Sequence, residues 1–491
     1  MISKELLSLM PVLLTISMAL LLRRTLLALG SGLLLAALIL HWGSLSGPLQ
    51  YLGHNFIGQL YADGQWQRWH LDVIATIALL GVLTQLLARS GAVATFADWL
   101  FPRIRSRRQA RLAVVLLGWL VFIDGIFSCL ANGNVSRPLS ERYRIRNTQL
   151  AYLVDSTASP LCSILPFSSW GPYVMTLLAS ISFLTVPPLA AFVTIASFNF
   201  YAIGTLMLAL IVAWTNLGFR GPLPAPVTSS VEAAPEGSPW LLGLPVAVLI
   251  FGSLLLAVVS GAQRSDGSDL LQWLANADIG GAMRNACLLA VALALGLLRR
   301  RKQSWPTLLV NAGHGLRSVA VALAILMFTW MIGRAIGDLG TGKVMATWAA
   351  AHLHPGLLLP GMFLLCAVTA FATGSSWGTF ALMIPIGADI AHQLQPELLL
   401  AALSAVMAGS VFGDHCSPIS DTTVLSATAS GCTPVDHVRT QLPLALFTAT
   451  LALLGFTLAG QQVSLLIIWP LLLIVMLMLS QRRRRSLSED R

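Results

Sequence analysis

Four aspartates stand where an otherwise apolar chain is interrupted, each beside small polar residues or a glycine. One interruption reads Asp155-Ser156-Thr157-Ala158-Ser159-Pro160, and another reads Gly413-Asp414-His415-Cys416-Ser417-Pro418-Ile419-Ser420-Asp421-Thr422-Thr423. Serine is a good helix N-cap and proline is favoured at the first helical position. Each run therefore reads as one half-helix stopping and a second starting, with Ser159 and Ser417 at the new starts. A broken helix presents free carbonyls and a negative dipole end, which suit a cation. Carboxylates and hydroxyls add hard oxygen ligands. Asp124 interrupts a third apolar run just before Gly125, and Thr373-Gly374-Ser375-Ser376 interrupts a fourth. The candidate cation- and proton-binding residues are Asp124, Asp155, Asp414 and Asp421. Ser156, Thr157, Ser159, Thr373, Ser375, Ser376, Ser417 and Thr422 are candidates to complete the coordination. His415 is a candidate proton relay, with a hydrogen-bonded structural histidine as the alternative. For the aspartates the bland alternative is a helix cap or, at Asp124, a turn residue; for the hydroxyls of the fourth run it is packing. If proton and cation compete for the same carboxylate oxygens, exchange follows with no further machinery.

Ionised groups at membrane depth are costly and need elements that bury them. The chain has 491 residues, 56% hydrophobic and 10% charged, against about 25% charged in soluble domains. Apolar runs long enough to cross a bilayer continue from end to end. Spans are expected near 6–22, 25–42, 71–88, 190–214, 240–260, 283–298, 319–337, 442–459 and 463–480, with broken helices over 149–184 and 398–430. The run 112–132 has basic clusters on both sides, Arg103 to Arg111 and Arg137 to Arg146. It therefore reads as a re-entrant hairpin with Asp124 at its tip, with an ordinary span as the alternative. The run 357–386 is flanked by His352, His354, Asp389 and Glu397 without Lys or Arg, which suits a hairpin entering from outside.

The Pro- and Ser-rich stretch 216–239 is a cytoplasmic linker by composition. It separates a first repeat, 1–215, from a second, 240–460, and an extra span with a basic tail occupies 461–491. Each half holds a hairpin followed by a broken helix. An odd number of spans per half inverts the second against the first, the architecture of secondary transporters. The expectation is an all-α polytopic membrane protein of about eleven spans and two re-entrant hairpins in inverted repeats. The first run lacks a small-residue cleavage site, so it reads as a retained span with the N-terminus outside; the C-terminus is then cytoplasmic.

The formal charge is +10, carried in short clusters between apolar runs. This is the positive-inside pattern rather than a nucleic-acid face. Six cysteines form no CxxC pair, so neither a disulfide framework nor a zinc site is indicated. An enzyme is disfavoured, because neither a nucleophile elbow nor an HExxH motif occurs. No cofactor is expected. Trp170 and Trp377 lie in a literal Ser-Ser-Trp-Gly repeat at non-equivalent places in the two halves, and are read as packing or gate residues.

At these residues the sequence resembles the NhaC-type sodium/proton antiporter family of the ion-transporter superfamily. The resemblance is carried by Gly413 to Thr423, by Leu150 to Pro160, by Gly374-Ser-Ser-Trp-Gly-Thr379 and by Asp436-His-Val-Arg-Thr-Gln-Leu-Pro443. It implies a homodimeric multi-pass protein of the cell inner membrane that moves a transport domain against a scaffold. It also implies a transported sodium ion held by Asp155 and Asp414 in exchange for protons. Members of the family often carry two adjacent acids at the first hairpin, where this chain has the single Asp124. A sodium- or proton-coupled carrier of a small organic acid or amino acid is therefore the alternative, with half-helix N-termini at Ser159 and Ser417 facing the substrate carboxylate.

Overall fold

The computed structural model describes residues 4–22, 24–219, 238–265, 272–273, 276–341, 344, 347, 351 and 354–485. Most of the expected linker, 220–237, lies outside the described residues. Backbone polar groups in hydrocarbon must pair within their own segment, so apolar runs of this length become helices.

In chain order the helices are α1 (Lys4–Leu22), α2 (Thr25–Leu40), α3 (Gly47–Leu60), α4 (Arg68–Arg89), α5 (Ala92–Leu100), α6 (Arg107–Leu120) and α7 (Gly125–Arg142). They continue as α8 (Asn147–Asp155), α9 (Ser159–Cys162), α10 (Trp170–Ala179), α11 (Pro188–Ser197), α12 (Phe200–Thr215), α13 (Trp240–Arg264) and α14 (Ile279–Arg300). The rest are α15 (Trp305–Leu339), α16 (Leu358–Thr373), α17 (Ser376–Leu394), α18 (Leu399–Cys416), α19 (Asp421–Ser430), α20 (Pro434–Gly460) and α21 (Leu465–Arg485). The polar segment after α2 is not plain loop. It holds α3 and a two-stranded hairpin, Tyr61–Ala62 against Gln65–Trp66. Asp63 and Gly64 take positive φ at its turn, as tight hairpins require.

Among the described residues seven helices are long and apolar enough to cross a membrane, or eight if α11 and α12, bent by 54°, form one span. Three shorter apolar helices lie at 7–18, 26–40 and 465–478. Several expected runs are delivered in pieces, because polar breaks divide them. The run 149–184 becomes α8, the single-turn α9 and α10. The helices also overrun the apolar windows. The arm expected to stop at Asn132 continues to Arg142, and the arm expected to stop at Ile386 continues to Leu394. Hydropathy marks where the apolar surface ends, whereas the backbone ladder continues into water until a cap stops it.

The packing divides into two groups. In one, α1, α2, α4, α13, α14 and α15 lie against one another. In the other, α7 and α8 pack on α19, α16 packs on α18, and α20 contacts α8, α12 and α18. The α16–α18 pair is close because Gly409 and Gly413 face the α16 backbone. A Cβ on either would collide with a carbonyl, that of Phe363 or that of Ala367. This small-xxx-small spacing is a membrane device for bringing two helices into van der Waals contact.

Candidate functional site

Helices α6 and α7 fold back on each other. Arg107 Nε donates to the Tyr143 carbonyl (2.7 Å) and the Tyr143 hydroxyl to the Ile104 carbonyl (2.7 Å), so their outer ends meet. Asn132 Nδ2 donates to the Val114 carbonyl (3.0 Å) and ties the arms together. Their tip is 121–124, and Asp124 caps α7 by accepting from the Phe127 amide (3.1 Å). Between α16 and α17 the chain turns at Gly374, with φ of +67°, and Ser375 caps α17. The Gly374 turn abuts the Ile419 backbone so closely that a Cβ would lie 3.0 Å from it. A side chain there would meet both the strained backbone and a wall.

The two breaks meet these tips. A Cβ on Gly125 would lie 3.5 Å from Thr422 and 3.7 Å from Ser159. Ser159 Oγ donates to Thr422 Oγ1 (3.3 Å), joining the breaks directly. Asp414 accepts from Ser420 Oγ (2.6 Å) on one carboxylate oxygen and from Ser376 Oγ (3.0 Å) on the other. Asp124 Oδ2 accepts from Ser169 Oγ (2.8 Å). A cavity of about 340 Å³ opens beside these groups. Asp124, Asp414, Asp421, Ser375, Ser376 and Thr422 line it on one side, while α4 and α15 supply Thr84, Gln85, Ser318 and Val319 on the other. Among the described residues no Lys, Arg or His lines it. It therefore lies between the two packing groups and concentrates negative charge.

A second polar cluster lies behind the first. Asp155 is fully buried and accepts from Gln441 Nε2 (2.8 Å), with His437 Nε2 at 3.2 Å from the same oxygen. His415 lies between the Tyr201 hydroxyl (2.8 Å from Nδ1) and Ser156 Oγ (3.3 Å from Nε2), and its carbonyl accepts from Gln441.

The sequence model of the Na+/H+ antiporter family matches residues 161–461, which include the α16–α17 pair and the second break. The chain belongs to this family. It is similar to a protein of Haemophilus influenzae of undescribed function, 37% identical over 475 residues, covering 93% of this chain and 91% of the other. It is also similar to the malate-2H(+)/Na(+)-lactate antiporter of Bacillus subtilis, 32% identical over 187 residues, or 36% of this chain and 38% of that one. Among solved structures, the YdaH transporter of Alcanivorax borkumensis shares the fold at a TM-score of 0.59, with 16% identity over 86% of this chain and 91% of that one. A family of antiporters means a multi-pass membrane transporter rather than an enzyme.

Within this antiporter-family fold the sequence-predicted residues separate. Asp124, Asp414, Asp421, Ser375, Ser376 and Thr422 reach the cavity. Asp155, Ser156, Ser159 and His415 are buried behind it rather than lining it. Thr157 is also away from it, with its hydroxyl donating to the Leu153 and Val154 carbonyls of its own helix. Thr373 bonds back to the Ala370 carbonyl. Ser417 donates to the Phe371 carbonyl (2.7 Å), tying the break to the first arm of the second hairpin. The four aspartates thus do not share one chamber.

The expected half-helix starts are corrected as well. Ser417 is the C-cap of α18, and α19 begins at Asp421 behind Ser420. A residue before proline is pushed out of the helical region, and Ser417 is extended at ψ 127°. Ser159 is the first residue of a four-residue turn, with Ala158 at the cap.

Four contributors were not singled out from the sequence: Ser169, Ser420, His437 and Gln441. His437 and Gln441 stand four apart, on one face of α20, inside a stretch that also carries the family resemblance; that i, i+4 spacing was the available signal. Ser169 had a sharper one. The two Ser-Ser-Trp-Gly runs lie at non-equivalent sequence positions, yet the serine before each tryptophan bonds a cavity aspartate: Ser169 to Asp124, Ser376 to Asp414. Trp170 and Trp377 then meet edge to face, with ring centroids 6.3 Å apart.

Proposed function

We propose that this chain is a sodium/proton antiporter that binds the cation at the carboxylates of the cavity in competition with protons. The observation carrying this reading is a cavity bearing Asp124, Asp414 and Asp421 and, among the described residues, no base, at the meeting point of two helix breaks and two helix turns. Asp414 is its centre. Both of its oxygens are oriented by hydroxyls, so a cation finds a preformed carboxylate with hydroxyl oxygens beside it, and a proton can replace the cation on the same atoms. Asp421 and Asp124 supply further oxygen and negative potential. Asp155, with His437 and Gln441, is the interior partner that senses occupancy through the Ser159–Thr422 and Ser156–His415 contacts.

In this reading the α6–α7 and α16–α17 pairs are re-entrant hairpins of two inverted repeats, 1–215 and 240–460. Their common order of hairpin then broken helix supports it. The group around α7, α8, α18 and α19 moves against the scaffold of α4, α14 and α15, which the position of the cavity between the groups favours. The protein works as a homodimer in the cytoplasmic membrane, N-terminus outside and C-terminus inside. Everted vesicles with a fluorescent pH probe test the function. Added sodium should collapse an imposed proton gradient with the native protein and fail to do so with Asp414→Asn. An unchanged response in the variant would sink the assignment.

One observation favours a second reading. The cavity, at about 340 Å³, is large for a bare ion, and a relative named for malate and lactate aligns over part of the chain. A small organic anion accompanied by sodium would fit that space, with the amide end of α17 at Ser375 to Gly378 facing its carboxylate. Sodium-dependent uptake of labelled malate or lactate in proteoliposomes distinguishes the readings. Uptake would favour the carrier; gradient collapse by sodium alone favours the cation antiporter.

A further inference from the structure

A second concavity, of about 600 Å³, shares no lining residue with the first and lies where α6 and α8 begin and α12 ends. Five arginines line it, Arg107, Arg108, Arg111, Arg144 and Arg146, and among the described residues no Asp or Glu lines it. Arg111 is only 6% exposed. Its Nε donates to the Ala213 carbonyl (2.7 Å), and no acid pairs with it among the described residues. Arg107 and Arg108 lie near enough to repel it. A guanidinium that is largely buried among like charges is costly unless a counter-charge faces it, and an anion in the concavity would supply one.

The walls are built as well as charged. The Arg108 guanidinium carbon sits over the Trp214 ring, 4.2 Å from its centroid, a cation–π contact that holds the side chain against this wall. Arg144 is held in the left-handed region at φ 51°, an uncommon conformation for a side-chain-bearing residue and one that persists only where the surroundings enforce it. Gln149 Nε2 donates to Asn216 Oδ1 (2.9 Å) and joins two walls. Helices α6 and α8 both point their N-termini toward this end, adding amide donors and positive dipole ends. The positive-inside rule accounts for basic residues on this side, but it asks for neither a concavity nor a buried arginine. Nor does it distinguish arginine from lysine, whereas all five residues here are arginine, whose planar fork matches phosphate oxygens two at a time.

We propose that this concavity binds a phosphate-bearing anion, and that the bound anion clamps the start of the α6–α7 pair to the end of α12. Two sources share this chemistry: the headgroup of an anionic phospholipid and a soluble polyphosphate. Basic pockets between membrane helices hold such headgroups in other proteins.

The test uses the full-length protein in a non-ionic detergent, with its unfolding midpoint followed by tryptophan fluorescence. Tris pyrophosphate, free of sodium so that the cation site is not engaged, is titrated against Tris chloride of equal ionic strength. Dihexanoyl phosphatidylglycerol is titrated against dihexanoyl phosphatidylcholine. A saturable rise in the midpoint with phosphatidylglycerol alone assigns the lipid source, and a rise with pyrophosphate assigns the soluble one. Either rise should be lost in Arg108→Gln/Arg144→Gln, whose residues are surface-exposed and whose fold should persist, and in Arg111→Met if that variant folds. No shift beyond the ionic-strength controls, or an equal shift in the double variant, overturns the proposal. None of these readings depends on sodium transport, so failure here leaves the proposed function untouched.

Discussion

The two polar clusters at the helix breaks are made from similar residues and differ in how they are closed. Around Asp414 both carboxylate oxygens accept hydroxyls, and the surrounding groups face an open cavity. Around Asp155 the side chains are sealed from solvent, and Asp155 Oδ1, His437 Nδ1, Gln441 Oε1 and Thr423 Oγ1 have no hydrogen-bond partner among the described residues. One cluster can exchange its contents with water; the other responds only by rearranging. Ligand binding is therefore expected to read out at the cavity, and stability at the interior.

The largest effect that could break this contrast is at Asp414. Replacing it with Asn removes a charged ligand while keeping its shape, and should weaken the sodium response in everted vesicles by about 100-fold, corresponding to a loss of about 3 kcal/mol. Because the site faces a cavity, the thermal midpoint should change little. A variant that unfolds rather than one that is inactive would show that Asp414 is structural. Next in size is His437→Leu, which strands the Asp155 carboxylate in a sealed interior. It should cost about 3 kcal/mol of stability, seen as a lowered thermal midpoint. The double variant Asp155→Leu/His437→Leu should recover part of that loss, since a removed pair is cheaper than a broken one. If the double variant is as unstable as the sum of the singles, the two groups are not coupled.

Much of this arrangement was legible in the sequence, for identifiable reasons. Carboxylates in apolar runs are rare and costly, so Asp124, Asp155, Asp414 and Asp421 stood out. Proline after serine marked both breaks. The sequence could not show which face of each break is wet, and so Asp155 was grouped with Asp414 although the structure buries it with His437 and Gln441. The start of α19 was misplaced because a Ser-Pro pair can begin a helix or hold the chain extended before one. Only the backbone shows that the chain stays extended there, with Ser417 at ψ 127° and the Gly374 turn packed against Ile419. Fold class and family were open to reading because they rest on run length and on contiguous motifs. The pairing of the Ser-Ser-Trp-Gly runs was not, because their sequence positions do not correspond and only packing brings them together.

That pairing gives a sharper test within the cavity. Ser169→Ala removes one hydroxyl from Asp124, and Ser376→Ala removes one from Asp414. A hydrogen bond to a charged group is worth about 1.5 kcal/mol at the lower end, so each change should weaken apparent sodium affinity by about tenfold. Matching losses would show that the two carboxylates act as one site. A loss confined to Ser376→Ala would reduce Asp124 to a cap on α7.

The smallest expected effect separates ion binding from the aromatic layer behind it. Tyr173 stacks on Trp377 with centroids 4.4 Å apart, and its hydroxyl donates to the Trp377 carbonyl (2.8 Å). That carbonyl belongs to the first turn of α17, directly after Ser376. Tyr173→Phe keeps the stack and deletes this bond together with the longer contact to Thr329 Oγ1 (3.5 Å), which should cost about 1 kcal/mol of stability. If the layer merely supports α17, sodium affinity should stay within about twofold and the transport rate should be unchanged. If it helps gate the cavity, the rate should change while the equilibrium affinity measured by sodium-induced thermal stabilisation does not, because a gating bond alters how fast the cavity opens rather than how tightly Asp414 holds its cation. Parallel changes in rate and affinity would place Tyr173 in the binding geometry itself and extend the site beyond the residues that line the cavity.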